Sequence, residues 1–278
     1  MSLISIITVT RNRCILLADN ALSSLLKQTC FDFEWILIND GGDIATRNLI
    51  EQTQFSFEVI YKEIIHPEIG FALCYGRNLG ISLASNDHIV YLDDDNTFSP
   101  DFIIRMTDFI SARPNPKFSL PLQRRSRQVW QDGETVVRGK TFTSPQVDST
   151  IEDLVCHREL FDSNGFTHRR QNAPSWNVKH RIYCDYEYFL QCLSSWGQGC
   201  FKLNPEILVN YVQSSQGIIG RSNYGDWAKE LKQIIANASA YQILNSSSEY
   251  LTCLQGLEKK FRIKYEQQLN IPAFGGKL

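Results

Sequence analysis

The sequence of 278 residues lacks a long apolar run. No stretch approaches the roughly 18 uninterrupted apolar residues of a membrane span, and the N-terminus has no basic segment followed by a signal-peptide apolar core. We therefore expect a cytoplasmic protein, which leaves room for a peripheral contact at the inner face of the membrane.

Paired cysteine motifs are also lacking. The eight cysteines include no Cys-x-x-Cys pair, and the five histidines show no ligand spacing. This pattern excludes a zinc site of the usual spacing and a disulfide framework. Reduced, buried thiols are the expected state of these side chains.

An excess of charge of one sign is absent as well, since 28 basic and 30 acidic residues leave a formal net charge of -2. This balance argues against nucleic acid as the main partner. The local basic clusters at 124–127 and 168–170 suit a phosphate or an acidic membrane surface, although such clusters are more often solvated loops. With 43% hydrophobic residues, the chain can bury a substantial core.

Strands and helices alternate along the first hundred residues. Short apolar runs predict strands, and the segments between them carry apolar residues at helical spacing. Such alternation predicts an α/β fold with right-handed crossovers and a mostly parallel sheet that is covered on both faces. The predicted strands are Leu3–Val9, Glu34–Ile38, Phe57–Tyr61 and His88–Leu92, and the predicted helices span 15–26, 44–52 and 71–84.

Regular alternation fades after residue 100. Helical spacing and turn residues there predict further helices, a strand pair joined by a turn at 131–133, and two helices in the C-terminal tail. The predicted helices span 101–112, 151–161 and 185–193, the strands 118–130 and 134–142, and the tail helices 226–268.

Polar residues follow three of the four predicted strands of the first half, at 10–13, 39–42 and 93–95. Because the carboxyl ends of parallel strands meet at one edge of a sheet, these residues are expected to converge there. Asp93, Asp94 and Asp95 would repel one another unless a hard divalent cation neutralised them. The alternative is a solvated acidic turn.

Four ordered segments of the chain resemble the signatures of family 2 glycosyltransferases with the GT-A fold. They are Ser5–Arg13, Trp35–Gly42, Gly76–Gly80 and Leu92–Asn96. The resemblance implies a Rossmann-like, mostly parallel central sheet flanked by helices. It also implies a nucleotide-sugar-binding half at 1–100, an acceptor-binding half of the same domain at 101–224 and a C-terminal helical extension at 225–278.

The resemblance implies roles for residues around the nucleotide. Val9, Thr10 and Arg11 match the loop that lies against the nucleoside, although the family usually has proline at the position of Val9 and often an aromatic residue at that of Arg11. Asp40 matches the carboxylate that accepts a hydrogen bond from the nucleotide base; alone it would be a turn residue. Arg77 matches an arginine near the diphosphate, where it would stabilise the leaving group.

The aspartate triplet matches the Asp-x-Asp pattern of these enzymes. The resemblance implies Mn²⁺ or Mg²⁺ held by Asp93 and Asp95 together with the donor phosphates, and it places Asp93 and Asp94 beside the nucleotide sugar. Many relatives add a histidine ligand after a strand of the second half, which the segment 211–216 does not contain.

An inverting transferase needs a general base, which the family places at the start of a helix in the second half. The segment 184–197 fits that description, with Asp185 as the base and Glu187 as the reserve. Asp185 could instead cap the helix N-terminus. Glu152 and Asp153 are weaker candidates. The nearby aromatic residues, such as Trp176, could stack on an acceptor sugar or belong to the core.

The resemblance implies a metal-dependent transferase, inverting in stereochemistry, that moves a sugar from a nucleoside-diphosphate donor, expected to be a UDP-sugar. The acceptor would be a saccharide or a lipid-linked molecule in polysaccharide or glycoconjugate synthesis. One alternative is a nucleotide-sugar-binding module without turnover. Another is a haloacid-dehalogenase-type phosphohydrolase, because residues 93–97 read Asp-x-Asp-x-Thr. In that family, however, the signature follows the first strand of the domain, whereas here it follows the fourth predicted strand.

Overall fold

The computed structural model describes residues 3–112, 115–131, 134–215 and 217–268. Its centre is a ten-stranded sheet. The strands are β1 (Ile4–Thr10), β2 (Phe33–Asp40), β3 (Glu58–Ile64), β4 (His88–Tyr91), β5 (Thr97–Phe98), β6 (Phe118–Gln131), β7 (Glu134–Val137), β8 (Phe142–Ser144), β9 (Thr167–Arg169) and β10 (Phe201–Ser214).

The strand order is β3-β2-β1-β4-β9-β6-β10-β5, with β7 and β8 paired to β6. Strands β1 to β4 pair in parallel, as the alternation of the first half predicts. The second half adds antiparallel pairings, because β9 runs against both of its neighbours and β5 runs against β10. The α/β prediction is confirmed, and the parallel β6-β10 pair continues the sheet beyond β9.

Helices cover the sheet and form the C-terminal tail. They are α1 (Cys14–Leu17), α2 (Ser23–Leu26), α3 (Ile44–Gln52), α4 (Ala72–Leu83), α5 (Phe102–Ser111), α6 (Ile151–Cys156), α7 (Cys184–Trp196), α8 (Ile218–Arg221), α9 (Tyr224–Ala236), α10 (Gln242–Ser246) and α11 (Ser248–Gln268). A π-helical segment, Ala18–Leu22, joins α1 to α2. Within the described ranges, no helix combines the length and the apolar character needed to cross a bilayer.

Several predicted boundaries differ from the structure. The predicted strand 134–142 is divided into β7 and β8, and the predicted helix 151–161 ends at Cys156. A short helix, α10, separates the two predicted tail helices. Residues 132 and 133 of the predicted turn lie outside the described residues. All eight cysteines are free.

Alternate residues of the central strands are buried on opposite faces of the sheet. Ile36 and Ile38 belong to the core beneath α4 and α7, whereas Trp35 and Leu37 belong to the core beneath α2 and α5. Because successive side chains of a strand point to opposite faces, these contiguous apolar runs fit a sheet covered on both sides.

Two glycines bring α4 unusually close to β1. A Cβ at Gly76 would lie 2.7 Å from a methyl carbon of Val9, and one at Gly80 would lie 2.6 Å from a methyl carbon of Ile7. Because real Cβ atoms do not approach that closely, glycine allows the helix to lie directly on the strand. This contact places Arg77, between the two glycines, beneath the carboxyl ends of the strands.

Substitution of Gly80 by alanine tests this close packing. We expect G80A to lower the free energy of unfolding by about 1–3 kcal/mol through overpacking against the buried Ile7. The matched control is G256A in α11, where nothing lies within 4 Å of the added Cβ. That change should raise stability by up to about 1 kcal/mol through helix propensity. Urea unfolding of both variants measures the difference, and equal effects would contradict the packing argument.

Candidate active site

The polar ends of β1 and β2 and the residues after β4 line one cleft with a volume of about 1490 Å³. Parallel pairing explains this, since Thr10 lies opposite Asn39 and the first half of the sheet ends at a single edge. The predicted residues that line the cleft are Val9, Thr10, Arg11, Asp40, Asp93, Asp94, Asp95, Asp185 and Glu187.

Asp94 and Asp95 are tied to the end of β1. Thr10 Oγ1 donates to Asp94 Oδ2 at 2.7 Å. Arg13 donates to both carboxylates, with Nη1 2.8 Å from Asp94 Oδ1 and Nη2 2.6 Å from Asp95 Oδ2. Arg13 lies in a segment that the sequence singled out, but its pairing with two members of the triplet could not be read from spacing.

The triplet concentrates negative charge in a partly dry environment. Burial raises the pKa of Asp94 to about 7, although the adjacent Arg13 guanidinium opposes the rise. Burial also raises the pKa of Asp95, against the same Arg13. One arginine therefore does not offset the cost of holding these carboxylates ionised, and a further cation would favour their charged forms.

Asp93 is held by an asparagine that has no recognisable signal in the sequence. Asn164 Nδ2 donates to Asp93 Oδ2 at 2.9 Å, and the Asp93 N–H donates to Asn164 Oδ1 at 2.7 Å. Asn164 also donates to Asp162 Oδ1, with Nδ2 2.8 Å away. Burial raises the pKa of Asp162 to about 6, helped by the negative charge of Asp185.

Arg77 bridges the first and second halves of the site. Its Nη2 lies 2.8 Å from Asp93 Oδ1 and its Nη1 lies 2.6 Å from Asp185 Oδ1. The side chain is only 1% exposed, and its guanidinium carbon lies 4.3 Å from the ring centre of Trp176. The charges of Asp93 and Asp185 raise the pKa of Arg77 against the effect of burial.

Asp185 and Glu187 occupy the first turn of α7 but have different surroundings. The Asp185 side chain is 26% exposed. Glu187 is buried, accepting hydrogen bonds from Tyr241 at 2.6 Å and from Gln191 at 2.8 Å. The residue that caps α7 is Tyr183, so a capping role does not account for Asp185.

The weaker candidates for the base lie elsewhere. Asp153 closes a capping box with Thr150 at the start of α6. Neither Glu152 nor Asp153 is among the described residues that line the cleft.

Asp40 ends β2 at the same edge of the sheet. His66 Nδ1 is 2.7 Å from Asp40 Oδ2, and Arg11 Nε is 3.8 Å from the same oxygen. His66 follows β3 and has no motif around it, so sequence reasoning missed it.

Trp176 lines the cleft and packs on buried aromatic residues behind it. Trp176 stacks on Tyr188 with ring centres 4.0 Å apart and donates from Nε1 to the Tyr91 hydroxyl at 3.0 Å. Trp176 is 2% exposed and Tyr188 is fully buried, which favours the core interpretation for both. This stack also supports the Arg77 guanidinium from below.

The residues present fit a metal ion that is shared with a phosphorylated ligand. In the described part of the chain, no three His, Cys, Asp or Glu side chains are arranged to hold an ion by themselves. Mg²⁺ commonly takes one or two carboxylates and completes its shell with substrate phosphates and water. Asp93 and Asp95, with side chains 28% and 19% exposed at the cleft, provide such oxygen ligands.

Comparison with known proteins agrees with this geometry. The family model described as glycosyl transferase family 2 matches residues 5–184. A PGL/p-HBAD biosynthesis glycosyltransferase of Mycobacterium bovis is 23% identical over 196 residues, covering 69% of this chain and 66% of that protein. An uncharacterized glycosyltransferase of Haemophilus influenzae is 32% identical over 97 residues, covering 35% of this chain and 31% of that protein.

Solved structures share the fold. TarS of S. aureus (residues 1-349) in complex with UDP-GlcNAc has a TM-score of 0.64 at 14% identity, covering all of this chain and 77% of that one. The mannosyltransferase PcManGT of Pyrobaculum calidifontis, in complex with GDP-Man and Mn2+, has a TM-score of 0.60 at 13% identity, covering 97% of this chain and 76% of that one.

The raised pKa of Asp94 predicts a pH dependence of stability. The folded state binds a proton at Asp94 up to about pH 7, whereas the ordinary value is 3.8. This carboxyl therefore destabilises the fold progressively as pH rises through that interval. Relative to wild type, D94N should gain about 1 kcal/mol or more of unfolding free energy between pH 4 and pH 8, since one pKa unit corresponds to about 1.4 kcal/mol.

Urea unfolding in EDTA measures this change, with D87N at an exposed aspartate as the control. A D94N advantage that stays constant with pH would contradict the assignment.

Proposed function

Because the chain belongs to glycosyl transferase family 2, we propose that it transfers a sugar from a nucleoside-diphosphate sugar to a hydroxyl of a saccharide or lipid-linked acceptor. The observation that carries this proposal is the Arg77 bridge, which joins Asp93, just after β4, to Asp185, in the first turn of α7. The chain spans 66% of the length of the mycobacterial relative, so the activity of the whole protein is part of the proposal.

The donor in this proposal is a UDP-sugar that lies along the strand ends. Asp40, steadied by His66, would accept a hydrogen bond from the base, and Thr10 and Arg11 would lie against the nucleoside. Structural neighbours in complex with UDP-GlcNAc and GDP-Man support a nucleotide-sugar donor. We place this reaction in polysaccharide or glycoconjugate synthesis on the cytoplasmic side of the membrane.

Asp93 and Asp95 would hold Mn²⁺ or Mg²⁺ together with the donor. When bound, the ion supplies positive charge to the departing diphosphate. The neighbour that contains Mn2+ supports this assignment. Asp94, which is buried and bonded to Thr10, would position the other two carboxylates.

Asp185 would act as the general base. Its carboxylate takes the proton of the acceptor hydroxyl while the hydroxyl oxygen forms a bond to the anomeric carbon. The bond between that carbon and the diphosphate oxygen breaks, and the nucleoside diphosphate leaves with the electron pair. Attack from the face opposite the leaving group inverts the anomeric configuration. Arg77 fixes the orientation of the Asp185 carboxylate through a charge-assisted hydrogen bond of 2.6 Å.

Two alternatives have less support. A binding module without turnover would not need a carboxylate such as Asp185, which lines the cleft and is held by a buried cation. A phosphohydrolase of the haloacid-dehalogenase type would carry the Asp-x-Asp-x-Thr signature after the first strand of the domain, whereas residues 93–97 follow β4.

Removal of Asp95 tests the metal assignment. We expect the wild type to hydrolyse a UDP-sugar slowly when Mn²⁺ is added, and D95A to lose both this hydrolysis and the Mn²⁺-dependent thermal stabilisation by UDP. The control is D101N, an exposed aspartate outside the cleft. Full Mn²⁺-dependent stabilisation of D95A would refute the assignment.

The choice between Asp185 and Glu187 is tested by a pair of amide substitutions. D185N should bind UDP as the wild type does but lose transfer by at least about 100-fold, since a general base contributes 10²–10⁴-fold. E187Q should retain transfer and lower the melting temperature, because Glu187 anchors Tyr241 and Gln191 inside the fold. The opposite pattern would make Glu187 the base.

A further inference from the structure

A second pocket of about 250 Å³ adjoins the cleft near the start of α7. Lys179 and Arg181 line both cavities and stand only six and four positions before Asp185 in the chain. Arg221, at the end of α8, and Lys229, on α9, are the other basic residues of its lining. We call Lys179, Arg181, Arg221 and Lys229 the cationic patch.

Among the described residues, no carboxylate lies within 4.0 Å of a basic group of the cationic patch. All four side chains are exposed. The pocket contains four basic and two acidic side chains, a local excess of two positive charges in a chain whose formal net charge is -2. Such a local excess favours an anionic ligand.

The two carboxylates of the pocket are engaged by backbone groups. Asp226 accepts from the Asn223 N–H at 3.2 Å in the capping box of α9. Glu230 accepts from three successive N–H groups, those of Arg181, Ile182 and Tyr183, at 2.9–3.2 Å. Both acidic groups therefore shape the pocket, and the four cations remain available.

The loop that carries Lys179 and Arg181 is fixed by its backbone. The Phe71 N–H donates to the Val178 carbonyl at 2.8 Å, and the Lys179 N–H donates to Asn177 Oδ1 at 3.1 Å. Glu230 holds the next turn. A fixed backbone with solvent-exposed cations lowers the ordering cost of binding an anion.

The cationic patch and the residues expected to hold the donor come from different elements of the fold. The nucleotide rim is built from the ends of β1, β2 and β4, whereas the patch is built from the loop before α7 and from α8 and α9. Lys179 and Arg181 line the cleft together with Asp185, the residue that the acceptor must approach in the proposed function. We propose that the cationic patch binds a phosphate group carried by the acceptor, so that the substrate is a phosphate-bearing glycan or polyol; this inference rests on the proposed function.

Binding of a soluble tetramer of glycerol phosphate tests the inference by calorimetry, with uncharged maltotetraose as the reference ligand. We expect the wild type to prefer the phosphate tetramer, with affinity that falls as salt is added. K179Q/R181Q should lose at least about tenfold in affinity, because charge-assisted hydrogen bonds are removed. The separate variant R221Q/K229Q, on different helices, should show a similar loss.

The matched control is K259Q/K260Q on α11, which removes two exposed lysines that likewise have no ion-pair partner among the described residues. This control should bind the tetramer as the wild type does. Equal affinity in all variants, absence of binding by the wild type, or a loss restricted to K179Q/R181Q would overturn the inference.

Vesicles distinguish an acceptor phosphate from a lipid headgroup. If the wild type binds phosphatidylglycerol vesicles but not the glycerol phosphate tetramer, the patch is a membrane contact and the inference is wrong. Metal-dependent hydrolysis of a UDP-sugar by the wild type is measured in parallel. Its absence would contradict the proposed function, whereas normal hydrolysis without tetramer binding would contradict only the cationic patch.

Discussion

A single buried guanidinium connects the two halves of the cleft. Arg77 pairs with Asp93 and Asp185 while its face rests on Trp176, and the side chain is almost entirely shielded from water. Removal of one partner from such a group leaves a buried charge uncompensated, which is costly. The glycine at 80 brings helix and strand together closely enough for this arrangement, so backbone packing and site electrostatics depend on each other.

The aspartate triplet likewise has fewer positive charges around it than it has carboxylates. Three carboxylates in succession share Arg13 and Arg77, together with neutral donors from Thr10 and Asn164. The pKa of Asp94 is raised because these partners only partly offset the cost of burying its charged form. Such a site is suited to a ligand that brings its own cation. The cationic patch has the opposite character and suits a ligand that brings negative charge.

The sequence predicted those parts of the molecule that follow from local periodicity. Alternating periodicity predicted β1 to β4 and a parallel sheet, and the common edge of that sheet then placed Asp40 in the same cleft as the aspartate triplet. Asn164 and His66 could not be found in this way, because they lie in irregular segments. Asn164 reaches Asp93 because β9 lies between β4 and β6 in the sheet. The periodicity of the sequence does not predict this pairing. The contrast between Asp185 and Glu187 likewise depends on Tyr241, which is 54 positions away.

The contact between α4 and β1 and the elements that carry the cationic patch differ in how readily they accept a substitution. The contact between α4 and β1, next to Arg77, leaves no room for a Cβ at Gly76 or Gly80. The loop around Lys179, α8 and α9 instead carry the four exposed side chains of the cationic patch, although α9 also contributes Leu231 and Ile234 to the core. Under the proposed function, substitutions of these exposed side chains would change acceptor preference while Arg77 and its partners stay intact, which would give this architecture a route to new specificities.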